Sequence, residues 1–417
     1  MPASRGRTQT VYVMLGASAL TTLGAIPPFL VGAQAVLMQR DLGFGPAVLG
    51  AVVSTFFAMA ALGTIFGSGL LDRWSRRRAQ AVAGLLVALG GVGLSVGVHH
   101  WELLIVAMAV LGLGNAACQG TSNQAVATAL PAHRRGLGFG IKQSAVPAAI
   151  MFGGLAVPTM TAIFGWRSTF LVTGSIGLVV TVAALLHHGD DAVHGVRASG
   201  VGPPDRAPRL PLLLCGVAIT FASAAANFLG AYLASWAHEV GLTVGQAGLL
   251  MAAGSGSSIL IRVLAGHRAD GRYGNNLLVV AAQMAAGAVS VALIGLLDVP
   301  WAVVVFGFLA FGLGWSWPGL LLYAAARLGR DAPAQASSVV QAGAFVGGAI
   351  GPVSFGLLVS GLGFRGAWLV ASCSFVMAFV LVLIARVGFR RDLELRPPAT
   401  PFGYGGGRDH PRHVAGG

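Results

Sequence analysis

Long apolar runs, most of them near or above 20 residues and separated by short polar turns, fill most of the chain. A helix rises 1.5 Å per residue, so about 20 apolar residues cross a hydrocarbon core about 30 Å thick. The runs predict twelve membrane-spanning helices, near residues 12–37, 47–70, 80–98, 102–125, 137–162, 167–187, 210–236, 245–267, 275–297, 301–325, 335–360 and 365–387. A closed β-barrel is the other way to span a bilayer. It requires short strands of alternating polarity, and these runs are too long and too uniformly apolar. One long polar break, HHGDDAVHGVRASGVGPPDRAPR, separates the first six runs from the last six. The expected organisation is an N-terminal six-helix bundle (1–187), a cytoplasmic linker (188–209), a C-terminal six-helix bundle (210–390) and a disordered cytoplasmic tail (391–417), rich in Pro and Gly. Arg5 and Arg7 precede the first run, but no small-residue cleavage site follows a short core, so that run reads as the first span.

Composition agrees with this pattern. Charged residues make up 9% of the 417, against about 25% in a soluble domain, and mean hydropathy is +0.78. Too few charges remain to cover a water-facing surface. The net charge of +13 would suit a nucleic-acid binder, but the arginines sit in short loops between apolar runs, which excludes that reading. With both termini inside, 21 of the 26 Lys and Arg fall on the cytoplasmic side, and Arg40, Arg167 and Arg365 fall on the other. Such a bias orients a membrane protein. Cys118, Cys215 and Cys373 lie far apart within apolar runs and form no metal pattern.

The halves repeat. FGWRSTFLV (Phe164–Val172) aligns with LGFRGAWLV (Leu362–Val370) at a shift of 198, which also carries Asp72 onto Asp270 and Gln143 onto Gln341. A shift of 200 carries LGLG (Leu111–Gly114) onto FGLG (Phe311–Gly314). Parallel repeats of this kind place a substrate path between the halves near the bilayer midplane. The expected fold is therefore an all-α membrane protein, twelve transmembrane helices in two pseudo-symmetric six-helix bundles.

GLLDRWSRRR (Gly69–Arg78), after the second span, resembles the signature loop of the major facilitator superfamily of transporters, with Ser68 and Ser75 where the pattern has glycine. GHRADGRYG (Gly266–Gly274), after the eighth span, is a weaker copy in which Gly271 replaces a basic residue. The resemblance covers the whole chain and implies a secondary transporter of the plasma (inner) membrane, working by alternating access as symporter or antiporter. It also implies a gating role for the loop residues Asp72, Arg73, Arg76 and Arg77, with Asp270 as the second copy. The rival reading of those arginines is that they only hold the loop on the cytoplasmic side.

Two cations lie within spans. Lys142, the only lysine in the chain, stands in the fifth span, and Arg262 in the eighth, eight residues before Asp270 and on one helix face with Ser258. An ionisable group inside a span is by default a functional one. Lys142 is shallow enough to snorkel, whereas Arg262 lies about 12 Å from Asp270 along the helix. An arginine at this place resembles the monocarboxylate and oxalate/formate carriers of the superfamily, where it is tied to the anionic substrate. All 13 acidic residues fall in loops, at span ends or in the tails. The expected cargo is a small organic anion, a carboxylate. The alternative is a proton-driven exporter of a neutral or amphipathic compound, with Trp315 and Trp317 lining an apolar pocket. Neutral residues that could complete a pocket are Asn115, Gln119, Gln143, Asn227, Tyr232, Trp315 and Gln341, each of which could instead serve helix packing. GGAIGP (Gly347–Pro352) reads as close helix packing. No hydrolase triad, nucleotide loop or metal cluster appears in the sequence. The reading is therefore not an enzyme, with no cofactor and no metal. The expected partners are a small-molecule substrate and the lipid bilayer, with protons as a candidate coupling ion, and the chain is expected to act as a monomer.

Overall fold

The computed structural model describes residues 2–71, 74–129, 141–186, 206–269, 276–330 and 332–397. Its spans are α1 (Pro2–Ala33), α2 (Pro46–Leu71), α3 (Arg76–Gly97), α4 (Trp101–Ala129), α5 (Ile141–Phe164), α6 (Trp166–Leu186), α7 (Arg209–Glu239), α8 (Val244–His267), α9 (Asn276–Leu296) and α10 (Pro300–Leu328). A last run, Pro333–Leu395, would be about 95 Å long if straight, three times what a bilayer needs. It breaks at Gly363, whose φ of 69° and ψ of 174° suit glycine and not a residue with a Cβ. This gives α11 (residues 333–362) and α12 (residues 364–395), twelve spans among the described residues. A short helix, Ala35–Leu42, continues α1 past a bend at Gln34.

With an even number of spans among the described residues, the start of α1 and the end of α12 lie on one face, here the terminal face; the loops at residues 34–45, 98–100, 240–243 and 297–299 lie on the opposite face. The bilayer-facing surface is apolar, with Ile65, Phe66, Leu186, Leu260 and Leu357 well exposed. The interior is built on small residues, which let backbones approach and gain dispersion where lipid supplies no hydrophobic drive. A Cβ at Gly343, Gly347 or Gly351 of α11 would lie 2.1–2.8 Å from α7 backbone atoms at Gly216, Thr220 and Ala224. GGAIGP is thus close packing, as the sequence suggests. Gly84 and Gly91 of α3 meet Gly177 and Gly174 of α6 in the same way.

The repeat survives in three dimensions. Arg167 donates to the Val98 carbonyl at 3.0 Å, and Arg365 donates to the Leu296 carbonyl at 3.3 Å. Both members of the second pair are the first shifted by 198. Each arginine also holds an aspartate, Asp41 at 2.6 Å and Asp298 at 3.2 Å. Between the bundles, α2 packs on α11, α5 on α8, and α1 on α7.

The C-terminal helix runs to Leu395, five residues past the expected end of the bundle at 390. Asp392 explains the extension: it accepts from Arg330 of the α10–α11 turn at 2.7 Å and from Arg396 at 2.5 Å, anchoring the final turns. Most of the predicted linker and residues 398–417 lie outside the described residues.

Candidate functional site

The two intramembrane cations end on facing helices of opposite bundles. Lys142 is buried at the start of α5, and its Nζ donates to Gln119 Oε1 at 2.7 Å and Asn123 Oδ1 at 2.5 Å, both on α4. Snorkelling to the terminal face is therefore not what this side chain does. Asn115, Gln119 and Asn123 recur every fourth residue, so they share one stripe of α4. Asn123 escaped the sequence reading although the i, i+4 spacing from Gln119 pointed to it. The Asn115 Oδ1 is buried without a hydrogen bond.

Arg262 is buried on α8 and spans the bundle interface. Its Nη1 donates to the Gln143 carbonyl of α5 at 2.8 Å, and its Nη2 to the Trp315 carbonyl of α10 at 2.5 Å. The second acceptor exists because α10 is broken. A π turn at Ala310–Gly314 and the irregular Trp315 (φ −110°, ψ 18°) precede Trp317–Leu328, turning the Trp315 carbonyl out of the helical ladder. Single π turns inside α-helices are frequent at functional sites. Ser258, on the Arg262 face, meets Ser316 at 3.1 Å, beside the same break. The Arg262 Nε is buried with no hydrogen-bond partner. Neither Lys142 nor Arg262 has a carboxylate partner among the described residues. Gln143, through its carbonyl, joins the two cation sites; its Cβ also lies 3.9 Å from where a Cβ on Gly319 would sit.

Trp315 stands at the centre. It meets Phe29 of α1 edge-on at 5.8 Å and stacks on Phe311 at 5.7 Å. Gln341 is half-buried on α11. Asn227 turns back on its own helix, donating to the Ser223 carbonyl at 2.8 Å. Gln34 likewise knots α1 to α5 and α6 through Thr161 and Thr169. Trp317 is fully buried.

Tyr232 belongs to a different feature, a seal toward the opposite face. Its hydroxyl donates toward the carbonyls of Pro46 on α2 (2.8 Å) and Pro352 on α11 (2.9 Å), so one phenol ties both bundles. Around it the backbones touch. A Cβ on Gly32 would lie 2.0 Å from the Gly230 carbonyl oxygen, and one on Gly50 2.2 Å from that of Pro352. One on Gly154 would lie 2.4 Å from that of Gly248. These contacts obey the repeat: Gly32 and Gly230 are 198 apart, and the pair Gly50–Pro352 maps onto Gly248–Gly154. Further out, Arg40 Nη2 and His238 Nε2 are 2.8 Å apart, again at positions 198 apart.

Of the expected gating residues, Asp72, Arg73 and Asp270 lie outside the described residues. Arg76 is exposed, and Arg77 donates to the Leu185 carbonyl, tying α3 to α6 within one bundle.

Comparison with known proteins places this architecture. The family model described as Major Facilitator Superfamily matches residues 10–325 and 212–404. A "Chloramphenicol resistance protein" of Streptomyces lividans is 26% identical over 331 residues, covering 76% of this chain and 81% of that protein. "Probable galactarate/D-glucarate transporter GudP" of Escherichia coli (strain K12) is 26% identical over 155 residues, covering 34% of this chain and 33% of that protein. The niacin transporter NiaP of Acinetobacter baylyi is 28% identical over 145 residues, with 35% and 33% covered. For these last two relatives the chain spans about a third of their length. A crystal structure of a bacterial homolog to the human lysosomal transporter Spinster, inward-facing and unoccupied, superposes with a TM-score of 0.70 at 15% identity, covering 92% of this chain and 98% of that one. Matched along nearly its whole length, the chain belongs to the major facilitator superfamily, a family of membrane transporters and not of enzymes.

Proposed function

We propose that this transporter carries a small organic anion, a carboxylate, by alternating access, with Lys142 and Arg262 as its charge-reading residues. The observation that supports this most is the buried, uncompensated pair of cations on α5 and α8. A charge within the membrane is costly unless paired or hydrated. Here neutral carbonyls and amides stand where a counter-ion would, and the Arg262 Nε has no acceptor at all. A carboxylate offers what those groups lack, a negative charge and a planar pair of acceptors matched to the guanidinium fork. In taking Arg262, it displaces the Gln143 and Trp315 carbonyls, one from each bundle. Cargo then acts on the bundle interface directly, and differential binding between two states is what drives a population shift.

The terminal face is assigned to the cytoplasm from the arginine bias. Asp72, Arg73, Arg76 and Arg77, with Asp270, act there as gate residues. Gln119, Asn123, Asn115, Gln143 and Gln341 complete the polar lining. The unit of transport is the monomer, and coupling is by proton or by exchange.

The second reading, export of a neutral amphipathic compound, draws on the Phe29–Trp315–Phe311 cluster and on the similarity to a chloramphenicol resistance protein. A thermal-shift series on purified protein separates the two. Mono- and dicarboxylates are expected to raise the melting temperature, and Arg262→Gln to abolish the rise. Stabilisation by neutral or cationic drugs, with none by carboxylates, would overturn the anion reading.

A further inference from the structure

The opposite-face seal contains a contact between a histidine and an arginine. His238, at the last turn of α7, uses both ring nitrogens. Its Nδ1 lies 2.9 Å from the Leu242 carbonyl, and its Nε2 lies 2.8 Å from Arg40 Nη2. A carbonyl can only accept and a guanidinium can only donate, so the partners fix the tautomer. Nδ1 carries the hydrogen, and the Nε2 lone pair accepts from Arg40. This arrangement exists only for the neutral ring.

The pair also straddles the axis between the bundles. Arg40 lies on the short helix Ala35–Leu42 of the N-terminal half, and His238 on the C-terminal half, at positions related by the repeat. Residues that meet their own repeat equivalents sit where the halves meet, so the distance between them reads the closure of the seal. The other charged groups nearby are committed or outside hydrogen-bond reach. Asp41, next to Arg40, is held by Arg167 at 2.6 Å and by the Trp166 indole at 3.0 Å. Asp298 and Arg365, at the neighbouring starts of α10 and α12, pair with each other. Glu239 is exposed and makes no ion pair with His238 among the described residues. The pair itself lines a cavity of about 460 Å³, together with Gln39, Tyr232 and Ser235.

We infer that His238 is a proton-binding site whose protonation releases the opposite-face seal by expelling Arg40. A proton from solvent binds Nε2 and the Arg40 N–H···Nε2 bond is lost, because two donors then face each other. Two cations are left across the axis, while the Nδ1–H to Leu242 bond is unaffected. Closure therefore disfavours the proton, and by linkage the proton disfavours closure. The seal is therefore expected to weaken as pH falls. The device works whatever the cargo, and it gives the transporter a place to take up a proton from the opposite side.

The test is thiol accessibility of Ser235→Cys, which reports on the cavity, in a Cys373→Ser background; Cys118 and Cys215 are buried. Alkylation of purified full-length protein in nanodiscs is measured at pH 5.5 and 8. Each rate is divided by that of the same cysteine in unfolded protein at the same pH, which removes the thiolate's own pH dependence. The corrected rate is expected to rise by about fivefold or more at pH 5.5, the lower end of ordinary coupling between sites. His238→Gln, which can accept from Arg40 but does not titrate, should give a low, flat profile. Arg40→Gln, which leaves the histidine with nothing to repel, should give a flat one too, and serves if His238→Gln does not fold. A flat profile in the parent protein, or a rise that persists in either variant, overturns the inference.

Discussion

Gly32→Ala should prop the opposite face open, and the structure gives the size of the effect. A Cβ at residue 32 would lie 2.0 Å from the Gly230 oxygen and 2.9 Å from the Ala231 Cα, both backbone atoms that no rotamer change can move. Restoring a contact of about 3.5 Å requires α1 and α7 to part by about 1.5 Å at this level. Overpacking of this kind costs roughly 1–3 kcal/mol. The cost falls only on the state in which the bundles touch here, so the sealed population should drop by about 5- to 150-fold relative to the open one. Two comparisons isolate the cause. At Gly230 the added Cβ would meet the Phe29 ring at 3.0 Å and the Trp315 ring at 3.2 Å, and rings can tilt, so Gly230→Ala should shift the balance less. Gly93, inside α3, has no atom within 4 Å of an added Cβ, so Gly93→Ala should leave the balance alone and gain up to about 1 kcal/mol of helix propensity. The assay is the alkylation rate of Ser235→Cys at fixed pH. If Gly32→Ala labels at the rate of Gly93→Ala, the contact is not a seal and the reasoning fails.

Other consequences follow from single side chains. Tyr232→Phe removes the donor shared by the Pro46 and Pro352 carbonyls; at about 1 kcal/mol for one hydrogen bond, alkylation at residue 235 should rise about fivefold, and an unchanged rate would count against the tie. Arg262→Lys keeps the charge but loses the planar fork, so calorimetric affinity for a carboxylate should fall about tenfold or more, and equal affinity would show that charge alone suffices. The Asp41 carboxyl is held below its ordinary value, first by the hydrogen bond from Arg167 and then by that from Trp166. A lowered folded-state value means stability present above the ordinary aspartate range, about pH 3.9, and lost as pH falls toward the lowered one. The melting-temperature gap between the parent protein and Asp41→Asn should therefore be constant near neutrality and close in acid; a gap that widens in acid would contradict it.

What could be read in advance follows from the period of each signal. Apolar runs of span length are local and strong, so the helices and their number were legible. The position at which α12 ends depends on Asp392 meeting Arg330 across 62 residues, which no local pattern encodes. The cations were legible because lysine and arginine are conspicuous in an apolar span. Their partners were less so: the Gln143 and Trp315 carbonyls are backbone atoms, and the latter is offered only because α10 breaks. Asn227 resembled a pocket residue, but amides within a span have packing uses that composition cannot distinguish from binding. The opposite-face seal was invisible for a different reason. Its members are glycines and prolines whose significance lies in the atom of a distant helix standing 2 Å from a missing Cβ, and the Arg40–His238 pair emerges only once the repeat is folded about its axis.

Counterflow in proteoliposomes tests the central claim most directly. Vesicles holding purified protein are loaded with an unlabelled carboxylate and diluted into trace labelled carboxylate, with a neutral amphipathic drug run in parallel. Labelled carboxylate is expected to accumulate transiently in vesicles carrying the parent protein and to fail to do so with Arg262→Gln and with Lys142→Gln, while the drug pair gives no counterflow. Counterflow of the drug alone, or of carboxylate undiminished in both variants, would contradict an anion held by the two buried cations.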